Sequence, residues 1–276
     1  MPAHRSGVMV WAIDARRLRQ GLVVAVSIAG AVLLARAFGI VDRPYRAGLA
    51  LLRAVPPPSR RHVEPVYRGP SDRPWAALAV NVDWGEEVLP AMLDKLQRHG
   101  VKATFFLTGR WAQQFPDLAR RIAEEGHEIG NHGVDHYHPA ELTNEELDWL
   151  VRENARLLER LTGKRTVLFA PPYGEVDGRI ARVAAGAGHY TVMWSVDTID
   201  WQRPPSDQIL ERVARRAGPG AIILMHPTEP TVEALPDVID LLRRRNLTLV
   251  PVGRLVAALH EAELAGPDSG LTGNGQ

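Results

Sequence analysis

The chain contains no cysteine. That excludes disulfides, thiolate metal sites and cysteine nucleophiles. Net charge is nearly absent as well: the formal value is +1, which removes any general electrostatic case for a nucleic-acid partner. Phosphate-cradling signatures are missing. No GxxxxGK[ST] loop occurs and no GxGxxG follows the first strand, which argues against a nucleotide-binding α/β protein. No internal repeat is visible. What remains is a chain of 276 residues, 45% of them apolar, long enough for one or two domains with an ordinary core.

The one long uncharged run is GLVVAVSIAGAVLLA, from Gly21 to Ala35, behind Arg16, Arg17 and Arg19. A basic flank followed by an apolar stretch is the pattern of a secretory signal. Ala35-Arg36-Ala37 offers a small-x-small cleavage site, but with Arg36 snorkelling the segment can equally run on to Val41 as an uncleaved membrane anchor. The basic residues before the run predict a cytoplasmic N-terminus and an extracytoplasmic remainder, secreted or membrane-anchored. Residues 42–73 read as a linker, with Pro56-Pro57-Pro58 stiffening it and seven arginines against three acids between Asp42 and Arg73. The expected layout is a basic n-region over 1–20, a signal or anchor helix over 21–41 and that linker. A catalytic domain over 74–262 and a flexible tail over 263–276 follow.

Within 74–262 the hydrophobic period changes repeatedly. Short apolar runs predict strands at 76–82, 102–107, 127–130, 166–169, 190–194, 221–225 and 247–252. Helical patterns lie between most of them. Thr143 with Glu146 forms a capping box ahead of Leu147, Leu150, Val151, Leu157, Leu158 and Leu161. Strands alternating with helices imply parallel β/α units, arranged as a small barrel or a compact open sheet.

In such folds the chemistry gathers at the C-terminal ends of strands. Here those ends carry Asn81, Asp83 and Trp84; Asn131 and His132; Tyr173; Asp197, Asp200 and Trp201; and His226. His132 and His136 are spaced i, i+4, so a helical turn would set both imidazoles on one face. The spacing alone is weak evidence in a chain with ten histidines, and Asp83 on the same rim strengthens it. Two His and one Asp with open positions suit zinc or a similar divalent ion. His138 reads as a solvated loop residue. His226 reads as a general acid oriented by Asp197 or Asp200, or else as a core histidine. The Tyr173 backbone N–H, in a rigid turn after two prolines, is an oxyanion donor candidate. Trp84 and Trp201 suit the walls of a sugar cleft.

GHEIGNHGVDH (126–136), WSVDTIDW (194–201) and LMHP (224–227), in this order, resemble the motifs of the NodB-homology polysaccharide deacetylases, carbohydrate esterase family four. The resemblance spans about 75–260. It implies a distorted (β/α) barrel with about seven parallel strands, and metal-dependent hydrolysis of N-acetyl groups on a cell-wall or related polysaccharide. It implies a divalent metal, zinc or alternatively cobalt or another ion, on His132 and His136. His226 takes the place of the catalytic acid, Asp197 or Asp200 of its tuning carboxylate, Tyr173 of the oxyanion donor and Leu224 of the acetyl-methyl pocket. The partner implied is an N-acetylated glycan polymer.

Two departures stand out. The family's Thr-Phe-Asp-Asp-Gly motif holds a base and a metal ligand. Aligned without a gap, Asp83 takes the base position and Trp84 replaces the ligand. Aligned to the Trp-Gly form of the sporulation-associated branch, Asn81 replaces the base and Asp83 falls near the ligand, so that the general base is either absent or supplied by Glu86 or Glu87. Ala170 stands where the family has an Arg that tethers the base. These departures predict a slow enzyme or, alternatively, a silenced deacetylase fold that binds glycan. The same chemistry on a non-sugar amide is a further alternative.

Overall fold

The computed structural model describes residues 63–265. The expected n-region and the signal or anchor at 21–41 lie outside the described residues, as do residues 266–276 of the expected tail. Among the described residues no helix is long and apolar enough to cross a membrane.

The domain is a curled, wholly parallel sheet with helices between its strands. The strands are β1 (Trp75–Val82), β2 (Thr104–Leu107), β3 (Glu128–Asn131) and β4 (Leu168–Phe169). Then come β5 (Tyr190–Thr191), β6 (Val196–Asp197), β7 (Ala221–Met225) and β8 (Thr248–Leu249). Their order is β5-β4-β3-β2-β1-β7-β6, seven strands in the path, and β8 pairs with β1. Ala76 pairs with both Ala221 and Leu249, and Ala79 with both Leu224 and Thr104. β8 therefore lies on the β1 edge that β2 occupies further along. This is the distorted (β/α) barrel the motifs imply.

Seven α-helices lie between the described strands and an eighth follows β8: α1 (Leu89–Arg98), α2 (Gly109–Gln114), α3 (Pro116–Glu124), α4 (Asn144–Thr162), α5 (Gly178–Gly186), α6 (Ser206–Arg216), α7 (Glu229–Arg244) and α8 (Val252–Ala265). α4 starts at the expected capping box, with the Thr143 side chain accepting from the Glu146 N–H and the Glu146 side chain accepting from the Thr143 N–H. The last expected strand is overlong. β8 stops at Leu249 and Val252 already belongs to α8. Pro251 has no N–H for the ladder, and its carbonyl instead accepts from Arg254 N–H.

Side-chain alternation decides what faces inward. Ala77 and Ala79 of β1, Phe106 of β2, Leu168 of β4, Tyr190 of β5 and Ile222 of β7 share one apolar cluster. Their neighbours Ala76, Leu78, Phe105, Ile223 and Met225 belong to a separate cluster with α1, α3, α6 and α7. Continuing the period of two past the strand ends puts Asn81, Asp83, Thr108, Ala170, Leu224 and His226 on the first of these faces. Polar chemistry thus crowns one apolar stack.

Part of the segment expected as linker is seated on this domain. Val66 is buried in the inner cluster, its N–H donates to Thr191 O and its carbonyl accepts from Met193 N–H, each at 2.8 Å. Gly69 N–H donates to Gly220 O at 2.8 Å. Residues 66–69 therefore form a strap from the β5 side of the sheet to β7.

Candidate active site

A cavity of about 500 Å3 opens at the strand ends, and it collects most of the residues singled out in the sequence. Asn81, Asp83, Trp84, His132, His136, Tyr173, Asp197, Trp201, Leu224 and His226 all line it. Trp194 and Gly174 complete the wall. Glu86 and Glu87 do not line it. Three tryptophans and a tyrosine around a few polar groups suit the mixed faces of a sugar.

Each polar side chain reaches the cavity for a local reason. His132 follows β3 directly, and His136 lies within the loop that follows, not on a helical turn. Gly133, between them, sits at φ 87°, a left-handed conformation that interrupts a right-handed helix and in which an added Cβ would lie 2.9 Å from the Asp135 carbonyl oxygen. The i, i+4 expectation of a shared helical face is therefore corrected. The loop still brings the two rings together, with centroids 5.0 Å apart. Behind it, the buried Asn131 accepts from Gly133 N–H at 2.9 Å and from the Asn154 amide at 2.7 Å.

His132 Nδ1–H donates to the Ala170 carbonyl at 2.7 Å, which leaves Nε2 with the lone pair. Burial pushes the His132 imidazole down to about 3, and burial also lowers His136. Both rings are neutral near pH 7, the form that ligates a metal. These two histidines fit a divalent ion. Asp83, the expected third ligand, is otherwise engaged: Oδ1 accepts from the Thr108 hydroxyl at 2.7 Å and Oδ2 from Arg110 at 2.6 Å. Among the described residues no three His, Cys, Asp or Glu side chains stand close enough together to hold an ion. The three-ligand set is not assembled as the side chains stand.

Opposite, His226 Nδ1–H donates to Asp200 Oδ1 at 2.8 Å, and the His226 backbone N–H donates to Oδ2 at 2.6 Å. The Thr231 hydroxyl donates to the same Oδ2 at 2.5 Å. Of the two carboxylates left open by the sequence, Asp200 contacts His226. It is fully buried. Asp197 instead accepts from Ile199 N–H at 2.8 Å. Between them Ile199 has φ 53°, a strained conformation for a β-branched residue, and this turn swings Asp200 beneath His226. Trp84 lies parallel to the His226 ring at 5.9 Å between centroids. Gly85, at φ 88°, allows that approach, since a Cβ there would lie 2.4 Å from Pro227 O.

Tyr173 is a second strained residue, at φ 58°. Its ring stands 4.4 Å from His136 and is stacked at 3.8 Å on His138. His138 is an exposed loop residue, as expected, and its ring nitrogen is 2.7 Å from Glu175. Asn81 is buried, and its Oδ1 has no hydrogen-bond partner among the described residues.

Residues 69–192 match the family model for polysaccharide deacetylase. A peptidoglycan-N-acetylglucosamine deacetylase of Bacillus cereus is 36% identical over 189 residues, covering 67% of this chain and 69% of that protein. The chain belongs to the polysaccharide deacetylase family. Another relative, the uncharacterized protein YlxY of Bacillus subtilis, is 42% identical over 70% of this chain, and the match spans 60% of that relative's length. Among solved structures, a family 4 carbohydrate esterase pseudoenzyme from Bacillus anthracis superposes with a TM-score of 0.69 at 38% identity, covering 71% of this chain and 69% of that one. A mutant of it with restored enzymatic activity superposes equally well, at 37% identity over 71% of this chain and 72% of that one.

The deacetylase match from 69 to 192 takes in Asn81, Asp83, His132, His136 and Tyr173 and stops short of Asp200 and His226. Thr108, Arg110 and Thr231 were not legible as site residues in the sequence. Thr108 caps α2, accepting from Trp111 N–H, and Thr231 stands in the first turn of α7. Their sequence signal is that of helix starts, and only the fold sets them beside Asp83 and Asp200.

Proposed function

We propose that the chain removes N-acetyl groups from a cell-wall glycan, outside the cytoplasm, with help from a divalent ion such as zinc. The observation that carries this reading is the fully buried Asp200 fixing His226 at the wall of a cavity that also contains His132 and His136. The expected export or anchor segment at 21–41 supports an extracytoplasmic, membrane-tethered or secreted setting.

When held by His132 and His136, a divalent ion supplies Lewis-acid polarisation of the scissile carbonyl. The chain's own residues do the rest. Leu224, paired in register with Asp197, is an apolar wall for the acetyl methyl. Water adds to the amide carbon and releases its remaining proton to solvent, and the backbone N–H of Tyr173 is the donor assigned to the developing oxyanion. With Nδ1–H committed to Asp200, an imidazolium at His226 delivers its Nε2 proton to the leaving amine as the C–N bond breaks. Trp84, Trp194 and Trp201 give the sugar rings apolar faces to lie on.

Asn81 supports a second reading, a silenced deacetylase fold that binds glycan without turning it over. Its amide stands where the Trp-Gly alignment puts the base, and Ala170 replaces the tethering Arg. The test is acetate release from chitooligosaccharides and peptidoglycan fragments with added Zn2+ or Co2+. The enzyme reading predicts release that the His132→Ala variant loses. Glycan binding with no release above that variant supports the silenced fold.

A further inference from the structure

Among the described residues, Arg110 places its cation on Asp83, the expected third ligand of the ion site. Its guanidinium reaches Asp83 Oδ2 at 2.6 Å and Asp135 Oδ1 at 3.2 Å. Its backbone N–H donates to Val134 O at 2.8 Å, and Gly109 N–H donates to Gly133 O at 2.9 Å. The start of α2 is thereby fastened to the loop that carries His132 and His136. Asp135 in turn accepts from the His136 N–H at 2.8 Å. One arginine thus ties the strand end bearing Asp83 to the loop bearing both imidazoles.

A carboxylate has two oxygens, and both of those on Asp83 are taken. The Thr108 hydroxyl holds Oδ1 from a buried position, since Thr108 is fully enclosed. Arg110 holds Oδ2 from a side chain that is 54% exposed, so this partner can swing to solvent while the other stays. An ion that took Oδ2 would need the guanidinium to leave, and until then it would face a fixed positive charge.

We infer that Arg110 is a latch that competes with a divalent cation for Asp83, keeping the ion site of this deacetylase fold loose. The latch rests on the proposed function only in assuming an ion at His132 and His136. Its consequence is the reverse of the usual effect of deleting a site residue: neutralising Arg110 improves the site. A lysine, a single point charge without the guanidinium fork, keeps the rivalry.

The experiment is calorimetric titration of Zn2+ into the wild type and the Arg110→Gln, Arg110→Lys and Arg110→Gln/Asp83→Asn variants, with thermal melts establishing that each is folded. Co2+ spectra report the coordination number independently of turnover. Arg110→Gln should bind about tenfold more tightly or better, which corresponds to about 1.4 kcal/mol. Arg110→Lys should resemble the wild type, and the double variant should lose the gain. Equal or weaker binding by Arg110→Gln overturns the latch and leaves the deacetylase reading standing. A gain that survives Asp83→Asn overturns competition for that carboxylate. Absence of binding by every folded protein overturns the latch and the metal part of the proposed function together.

Discussion

Asp200 accepts three hydrogen bonds with no exposure to solvent: Nδ1–H and backbone N–H of His226, and the hydroxyl of Thr231. Only an anion satisfies all three donors. An Asn there would turn an NH2 group toward at least one of them. We expect Asp200→Asn to lower turnover on chitooligosaccharides by about 10²-fold, the usual scale for a displaced acid–base group, with KM changed little. Steady-state kinetics check it, and an unchanged kcat would remove Asp200 from the mechanism. A stability loss of about 1–3 kcal/mol should accompany the substitution, because a buried donor is left unpaired.

The strap at residues 66–69 is the element whose contribution is simplest to isolate. It makes three backbone hydrogen bonds to the sheet and buries Val66. At about 0.5–1.5 kcal/mol per bond and about 1.5–3 kcal/mol for a buried valine, its removal should lower unfolding free energy by about 3 kcal/mol or more. Urea melts of chains starting at residues 63 and 71 measure this, and equal midpoints would contradict it. The strap also shows the limit of reading elements from sequence. Proline and arginine made 42–73 look like linker, and nothing local in Val66 announces partners at 191 and 193. By contrast β1, β2 and β7 were legible because their runs are long and apolar, and period-two alternation carried through to Asn81, Leu224 and His226. Alternation placed Asp197 on the cavity wall but left the choice between Asp197 and Asp200 open, and the turn at Ile199, φ 53°, is what brings Asp200 under His226. Gly133 was a visible warning against a helical turn at 132–136. Arg110 gave none, since a charged residue in the first turn of a helix reads as solvated.

At the scale of the whole molecule, three buried histidines couple folding to pH. Burial pushes His127 down to about 4, His132 to about 3 and His189 to about 4. Unfolded histidines titrate near 6.5. Below that value the unfolded chain takes up protons that the folded one refuses, so stability falls as pH falls. Above it these contributions are complete. Between about pH 6 and 4.5 each of the three should cost about 1 kcal/mol per pH unit, below the limiting slope of about 1.4 kcal/mol. Glu128, whose carboxyl burial raises, works in the opposite sense, one group against three. Melts of chelator-treated protein should therefore drop steeply from pH 6.5 to 4.5, and His127→Gln with His189→Gln should flatten the curve. A midpoint constant over that range would contradict the account.

The central claim is that the strand-end cavity is a deacetylase site short of a base. Its most direct test is the rate of acetate release from an N-acetylated glycan by Asn81→Asp, alone and combined with His226→Ala. The account predicts that Asn81→Asp exceeds the wild type by about 10²-fold or more, the worth of a general base, and that His226→Ala cancels the gain. A rate that Asn81→Asp leaves unchanged, or that does not depend on His226, would contradict it.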